Sequence, residues 1–326
     1  MRHMLGGISM EYRKLIKFGN NSYVVSLPKA WLEKNGLTKG ASLYLEPNSQ
    51  QLVLSAAPIE HRAEPRATTI DARGLDTNTF RRTLVAHYVN NFHTVRILID
   101  GRSDVAQMRT IIHGLMALEI LEQTTEHILA KDYVNLEEIT VDSLIHKVDN
   151  IVRGMLADIT KVVSESTFFE NIELSDSIQA RDVDVNRLMF LVKRTVKHRL
   201  GTTVPARGGD TPLDYLRAYE LAMALEQGAD EIKRIARLLV EIETHKYTKL
   251  VRLIQDINRY YLDSMKAYAK RNAEQAFAVS SQKGSYMTLT TELMMAYKDR
   301  PTLVNLIHHL RNLINSLHTI TRVMYQ

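Results

Sequence analysis

The stretch Arg13 to Leu54, RKLIKFGNNSYVVSLPKAWLEKNGLTKGASLYLEPNSQQLVL, constrains this chain more than any other. Short β-branched and aromatic runs alternate there with turn residues. Leu15-Ile16 and Phe18 lead into Gly19-Asn20-Asn21-Ser22, and Tyr23 to Leu27 reads as a second strand that Pro28 ends. Lys29 to Asn35 reads as a short helix stopped by Asn35-Gly36. Two more strands follow, Ser42 to Glu46 and Gln51 to Leu54, with Pro47-Asn48-Ser49 turning the chain between them. Strands this short bury too little apolar surface to be stable alone. The pattern therefore predicts completion by a second copy, as a homodimer.

Arg13, Lys14, Lys17 and Lys29 flank the turn, opposed locally only by Glu11 and Glu33. Cationic side chains beside duplex DNA release counterions and supply affinity that does not depend on sequence. Asn20, Asn21 and Ser22 can donate to phosphates or read base edges. Paired strands from a dimer can enter a groove. The bland reading of the same residues is a hairpin turn with a solvated basic rim.

Lys17-x-Gly19-Asn20-Asn21-Ser22, Val25-x-Leu27-Pro28-Lys29 and Leu37-x-x-Gly40 resemble the SpoVT/AbrB swapped-hairpin domains, close to the MazE antitoxin variety. That resemblance implies an intertwined dimer over residues 10–57 whose basic strand-turn surface binds DNA.

The 326 residues allow two or three domains, and 45% apolar with 24% charged residues marks a globular chain. A formal net charge of +5 fits an anionic partner without establishing one. The absence of cysteine excludes disulfides and thiolate metal sites and suits a reducing cytoplasm. No apolar run reaches the ~18 residues of a membrane span, so no membrane insertion is expected. Met1 to Met10 is too short for a signal peptide, and the start is read as Met1 or Met10.

Ala56 to Arg66, with two prolines and mixed charge, reads as a linker. A small βαβαβ module is expected over residues 67–134. It has a strand at Thr68 to Asp71, a helix at Asp76 to Asn90, a strand at Thr94 to Ile99 and a helix at Ser103 to Leu118. Glu119 to Lys131 fits one strand or two. No glycine-rich phosphate loop follows a strand.

Residues 142–326 read as six helices in two sets of three, an internal duplication. The first begins near Asp142. The others span about Ser175 to Leu200, Pro212 to Glu243, His245 to Ala276, Ala278 to Tyr297, and Pro301 onward, with a loop at Val204 to Thr211. Glu226 and Asp230 lie one helical turn apart late in the first set, and Asp182 and Asn186 share that spacing on the helix before. Carboxylates on neighbouring helices can converge on a hard cation. An ordinary solvated acidic face is the other reading. The sets of three, with Glu226-x-x-x-Asp230, resemble the PhoU family of phosphate-signalling proteins, whose repeats each carry an E-x-x-x-D motif.

The PhoU resemblance implies a divalent or iron/zinc metal ion held in the first repeat by Glu226, Asp230, Asp182 and Asn186. The second repeat departs from the pattern. Arg311 and Asn315 stand where the acids would be, and Ser281-Gln282-Lys283 brings none. His309 is a further candidate ligand, while His308 beside it points to another face. Tyr260, Tyr261 and Tyr268 read as helix packing. Arg234, Arg237, Lys246, Lys249 and Arg252 read as a solvated basic face.

The expected fold is multidomain α+β: a swapped-hairpin β domain, a small α/β module and an all-α double three-helix bundle. An AbrB-type head on a PhoU-like body resembles the archaeal phosphate-uptake regulators. The leading reading is a cytoplasmic, non-enzymatic, DNA-binding regulator of phosphate uptake and homeostasis genes, whose body senses or relays phosphate status. The alternative is an adaptor that docks on a phosphate transporter or sensor without binding DNA. A metal-dependent enzyme fits poorly, because no activated nucleophile, G-x-S-x-G elbow or H-E-x-x-H motif is present. A pure antitoxin fits poorly with so long a folded remainder.

Overall fold

A computed structural model describes residues 12–48, 51–57, 66–165, 170–201 and 210–325. The start at Met1 or Met10, Ser49, most of the Ala56–Arg66 linker and most of the Val204–Thr211 loop lie outside these residues. The chain divides into two compact units, Met1–Ala63 and Glu64–Gln326.

In the first unit, β1 (Ile16–Phe18) pairs antiparallel with β2 (Ser22–Val24), with Phe18 opposite Ser22. Gly19 opens the connecting turn at φ 69°, a conformation that costs a glycine little. The β2 ladder ends at Val24, short of the expected Leu27. Helix α1 (Lys29–Lys34) stops where Gly36, at φ 65°, lets Leu37 N–H reach Leu32 C=O at 2.9 Å. That closure is a Schellman motif. β3 (Tyr44–Asn48) pairs with β4 (Gln51–Ser55), and Pro47 lies opposite Leu52 inside the ladder rather than in the turn. A two-stranded sheet has only edges, so the missing N–H of Pro47 is tolerated.

The second unit begins with a four-stranded sheet. Its elements are β5 (Arg66–Asp71), α2 (Thr77–Val89), β6 (Phe92–Leu98), α3 (Val105–His113), β7 (Leu118–Gln123) and β8 (His127–Asp132). Strand order is β5-β6-β8-β7, with β5 parallel to β6 and the other pairs antiparallel. The expected βαβαβ order thus ends in a hairpin, and its second strand takes the place beside β6. Asp76 caps α2 by accepting from the N–H groups of Asn78 and Thr79 at 2.9 and 3.0 Å. Phe80, Leu84, Ile97, Ile112, Ile128 and Ala130 form the core between sheet and helices.

The helical body comprises α4 (Val141–Glu165), α5 (Glu170–Gly201), α6 (Pro212–Leu239), α7 (Thr248–Ala269), α8 (Ala273–Ser280), α9 (Lys283–Ala296) and α10 (Pro301–Arg322). A capping box at Thr211 and Asp214, with Pro212 in the first turn, starts α6. The expected helix from His245 to Ala276 is broken. Arg271 adopts φ 49°, and Asn272 then caps α8 by accepting from Gln275 N–H at 2.9 Å. Two sets of three therefore stand, α4-α5-α6 and α7-α8/α9-α10, with the middle helix of the second set divided. The sets meet through α6 and α10 around one apolar cluster.

Sequence reading separates residues 67–134 from 142–326, and each does keep its own core. They are nevertheless one compact unit. Arg194 of α5, fully buried, donates to Asp132 Oδ2 at the end of β8 and to Asn91 Oδ1 at 3.2 Å, and lies over the Tyr88 ring.

Candidate functional site

Every residue singled out for DNA contact is exposed: Arg13, Lys14, Lys17, Asn20, Asn21, Ser22 and Lys29. Strand alternation puts Lys17 and its cross-strand partner Tyr23 on one face of the β1–β2 hairpin, and Ile16, Phe18 and Val24 on the other. Asn20 and Asn21 sit at the hairpin tip. Lys29 lies in the first turn of α1, with Glu33 at 3.5 Å. That pair is solvated, and such pairs contribute little.

The same unit exposes an unusual share of apolar surface. Ile16 is 57% exposed, Phe18 69%, Tyr23 62% and Leu45 58%, and no described side chain in residues 12–57 is buried. Fully burying one such side chain contributes about 1.5–3 kcal/mol. A lone protomer forgoes that stabilisation at Ile16, Phe18, Tyr23 and Leu45.

The acidic positions of the body come together, but with their charges already matched. Lys233 Nζ donates to Asp182 Oδ2 at 2.7 Å and to Asp230 Oδ1 at 2.6 Å, joining α5 to α6. Burial works against the ammonium, yet the two carboxylates outweigh it and raise its pKa. Asn186 Nδ2 donates to Asp182 at 3.2 Å, and Glu226 lies 3.5 Å from Lys193 Nζ. The expected ligand set therefore does not fit a hard cation. Its two convergent carboxylates enclose an ammonium, its third pairs elsewhere, and its amide donates instead of accepting. His309 meets Glu231 Oε2 through Nδ1 at 2.7 Å, and Arg234 donates to the other oxygen at 2.5 Å. Among the described residues no group of three or more His, Asp or Glu side chains is placed to hold a metal ion.

Residues 16–62 match the family model described as antidote-toxin recognition MazE, bacterial antitoxin. The match falls on the cationic hairpin unit. Among solved structures, the chain is similar to the crystal structure of PhoU from Pseudomonas aeruginosa, at 15% identity and a TM-score of 0.43. That likeness covers 56% of this chain and 90% of that one. No curated protein sequence matches. No helix among the described residues is long and apolar enough to cross a membrane.

Sequence reasoning missed two features. A cleft of about 1250 Å³ lies between α4, the start of α6 and the end of α7, lined by Asp142, Asp149, Arg153, Arg217, Lys266 and Tyr268 among others. In its wall the buried carboxylate of Asp149 accepts from Tyr261 Oη at 2.5 Å and from Arg153 at 2.9 Å. Its lining mixes acids and bases, so its charge selects no single ligand class. The second feature is the set of polar ties along α5. Besides Arg194, Lys197 reaches Asn90 at 2.9 Å, while His198 and Arg199 hold Glu137 at 2.8 and 3.0 Å. Burial would raise the Glu137 pKa, but His198 and Arg199 hold it below the usual value. The partners of these residues are too remote in sequence for any local signal. Lys233 is different: it stands three residues after Asp230, a helical spacing that brings side chains together. The basic cluster is partly paired, Arg237 with Gln179 at 2.9 Å and Lys246 with Glu243.

Proposed function

We propose that the chain is a dimeric DNA-binding transcriptional regulator acting in the cytoplasm. One observation carries the reading. Among its described residues the N-terminal unit fully buries no side chain in a lone protomer, and it presents Arg13, Lys14, Lys17 and Lys29 around an exposed hairpin. The MazE match over residues 16–62 supports it. A second copy covers the apolar face of each hairpin and sets two cationic rims side by side. Phosphates meet Arg13, Lys14, Lys17 and Lys29, while Asn20, Asn21 and Ser22 at the tips reach base edges. The helical body modulates the heads by favouring one of two arrangements, which requires an effector that binds the two with different affinity. Genes of phosphate uptake are the proposed targets; that part rests on the PhoU resemblance of the helical repeats.

Titration of the full-length protein against genomic fragments at several salt concentrations tests the reading. Binding should weaken with salt. Lys17→Ala should weaken it on all sequences alike and lower the salt slope by roughly one unit. Binding without salt dependence, or none at all, rejects the reading. An adaptor that docks on a transporter or sensor is the second reading. It is favoured by Phe277 on α8 and Met295 on α9, apolar side chains 66% and 69% exposed on the body. Partner capture without any DNA affinity would establish the adaptor instead.

A further inference from the structure

Asp182 comes from α5 and Asp230 from α6, and the two carboxylates approach one point. Metal sites in helical bundles are built in that way, from acids on facing helices. At that point lies Lys233 Nζ, within 2.7 Å of both. The Asp182 side chain is only 8% exposed and that of Lys233 17%, while Asp230 is 39% exposed, so the ammonium is shielded on the α5 side and reaches water beside Asp230. The surrounding charges follow the same plan. Glu226 faces Lys193, and Glu231 faces Arg234 and His309. Asp182, Glu226, Asp230 and Glu231 are thus opposed by Lys193, Lys233 and Arg234 with the histidine beside them. A divalent ion would have to enter among cations that are covalently attached and already seated.

In the second repeat the acids themselves are replaced. Arg311 and Asn315 of α10 hold the positions that correspond to Glu226 and Asp230. Arg311 Nη1 crosses to Thr291 Oγ1 on α9 at 3.1 Å. In both repeats a side chain of the last helix reaches the middle helix.

We propose that Lys233 is a tethered cation: it takes the place of a divalent metal ion between α5 and α6, and its removal turns Asp182 and Asp230 into a metal site. With a neutral residue at 233, Asp182 keeps only the Asn186 amide at 3.2 Å, and Asp230 keeps only Arg234, 3.8 Å away. Their oxygens, the Asn186 amide oxygen after a flip, and water make a donor set for an oxygen-preferring divalent ion. The inference concerns the helical body alone and goes beyond the regulator reading. It does not depend on whether the heads bind DNA.

The probe is Mn²⁺, followed by the loss of its free-ion electron paramagnetic resonance signal and by thermal unfolding of the full-length protein. The wild type and Lys233→Arg should bind no Mn²⁺ at this site and keep their unfolding temperatures. Lys233→Met should bind one ion per chain and gain several degrees at saturation. The double variant Asp230→Asn with Lys233→Met should lose both effects, which assigns the ion to this site. Lys233→Gln carries the same test if Lys233→Met does not fold. Uptake of one Mn²⁺ per chain by the wild type, abolished by Asp182→Asn, overturns the proposal. So does a folded Lys233→Met or Lys233→Gln that binds no ion.

Discussion

In residues 12–57 no described side chain is buried, whereas a single apolar cluster runs through the helical body from Leu136 to Val323. The two regions draw on similar residue types, Ile, Leu, Val, Phe and Tyr. They differ in what can be covered from within one chain. Long helices with apolar faces meet one another inside a protomer, so the body needs no partner to close its core. Two short hairpins and a six-residue helix have no such opposing surface. The apolar surface that a second copy could cover therefore lies on the head. The body contributes folding stability that is present in every protomer.

The largest effect that can break this contrast is expected from Phe18→Asp. Phe18 is 69% exposed in the protomer and lies on the apolar face of the β1–β2 hairpin. The variant should become monomeric by light scattering after size exclusion, with the helical circular dichroism of the body unchanged. A dimer that survives this change would show that the body also associates, and the contrast would fail.

A smaller loss is expected within the body from Arg194→Ala. Both Arg194 and Asp132 have fully buried side chains, so the variant leaves a buried carboxylate without its partner. Urea denaturation should show about 3–5 kcal/mol less stability, with the dimer retained. Replacing the pair together by Met and Leu should cost less, because the stranded charge is then gone.

The smallest effect is a matter of pH. Burial pushes Tyr88, Tyr260 and Tyr268 each up to about 12. Their folded pKa values lie above the unfolded value, so the folded state binds these protons more tightly. Their stabilisation is complete below pH 10 and is lost as pH rises toward 12. Lys233, raised by its two carboxylates, acts in the same direction at still higher pH than its ordinary value. Urea midpoints of the second unit should hold steady up to about pH 10 and fall beyond it. A midpoint that stays flat through pH 12 would contradict the placement of these rings.

Much of this architecture was legible from local signals. Gly19 and Gly36 stand where the backbone turns left-handed, Asp76 caps α2, and Thr211, Pro212 and Asp214 start α6. Each acts over three or four residues, which a sequence displays directly. The break after Ala269 was not legible, because Arg271 and Asn272 interrupt a run whose apolar spacing continues through it. Nor was the place of β8 in the sheet, since either edge of β6 would satisfy its alternating pattern. At the candidate site, the seven residues singled out for DNA contact are all exposed. The neutralisation of Asp182 and Asp230 was not foreseen, although Asp230 and Lys233 are adjacent on one helix face.

By itself, then, the sequence determined which segments become strands and helices, where most of them begin and stop, and that the strands of the head are too short to bury much apolar surface. These follow from backbone preferences and apolar spacing, which act along the chain. Only the tertiary structure decided which charges meet: Lys233 with Asp182, Arg194 with Asp132, His309 with Glu231. Coulombic and hydrogen-bonding partners are chosen by distance in space. That distance is set only after the helix faces have packed.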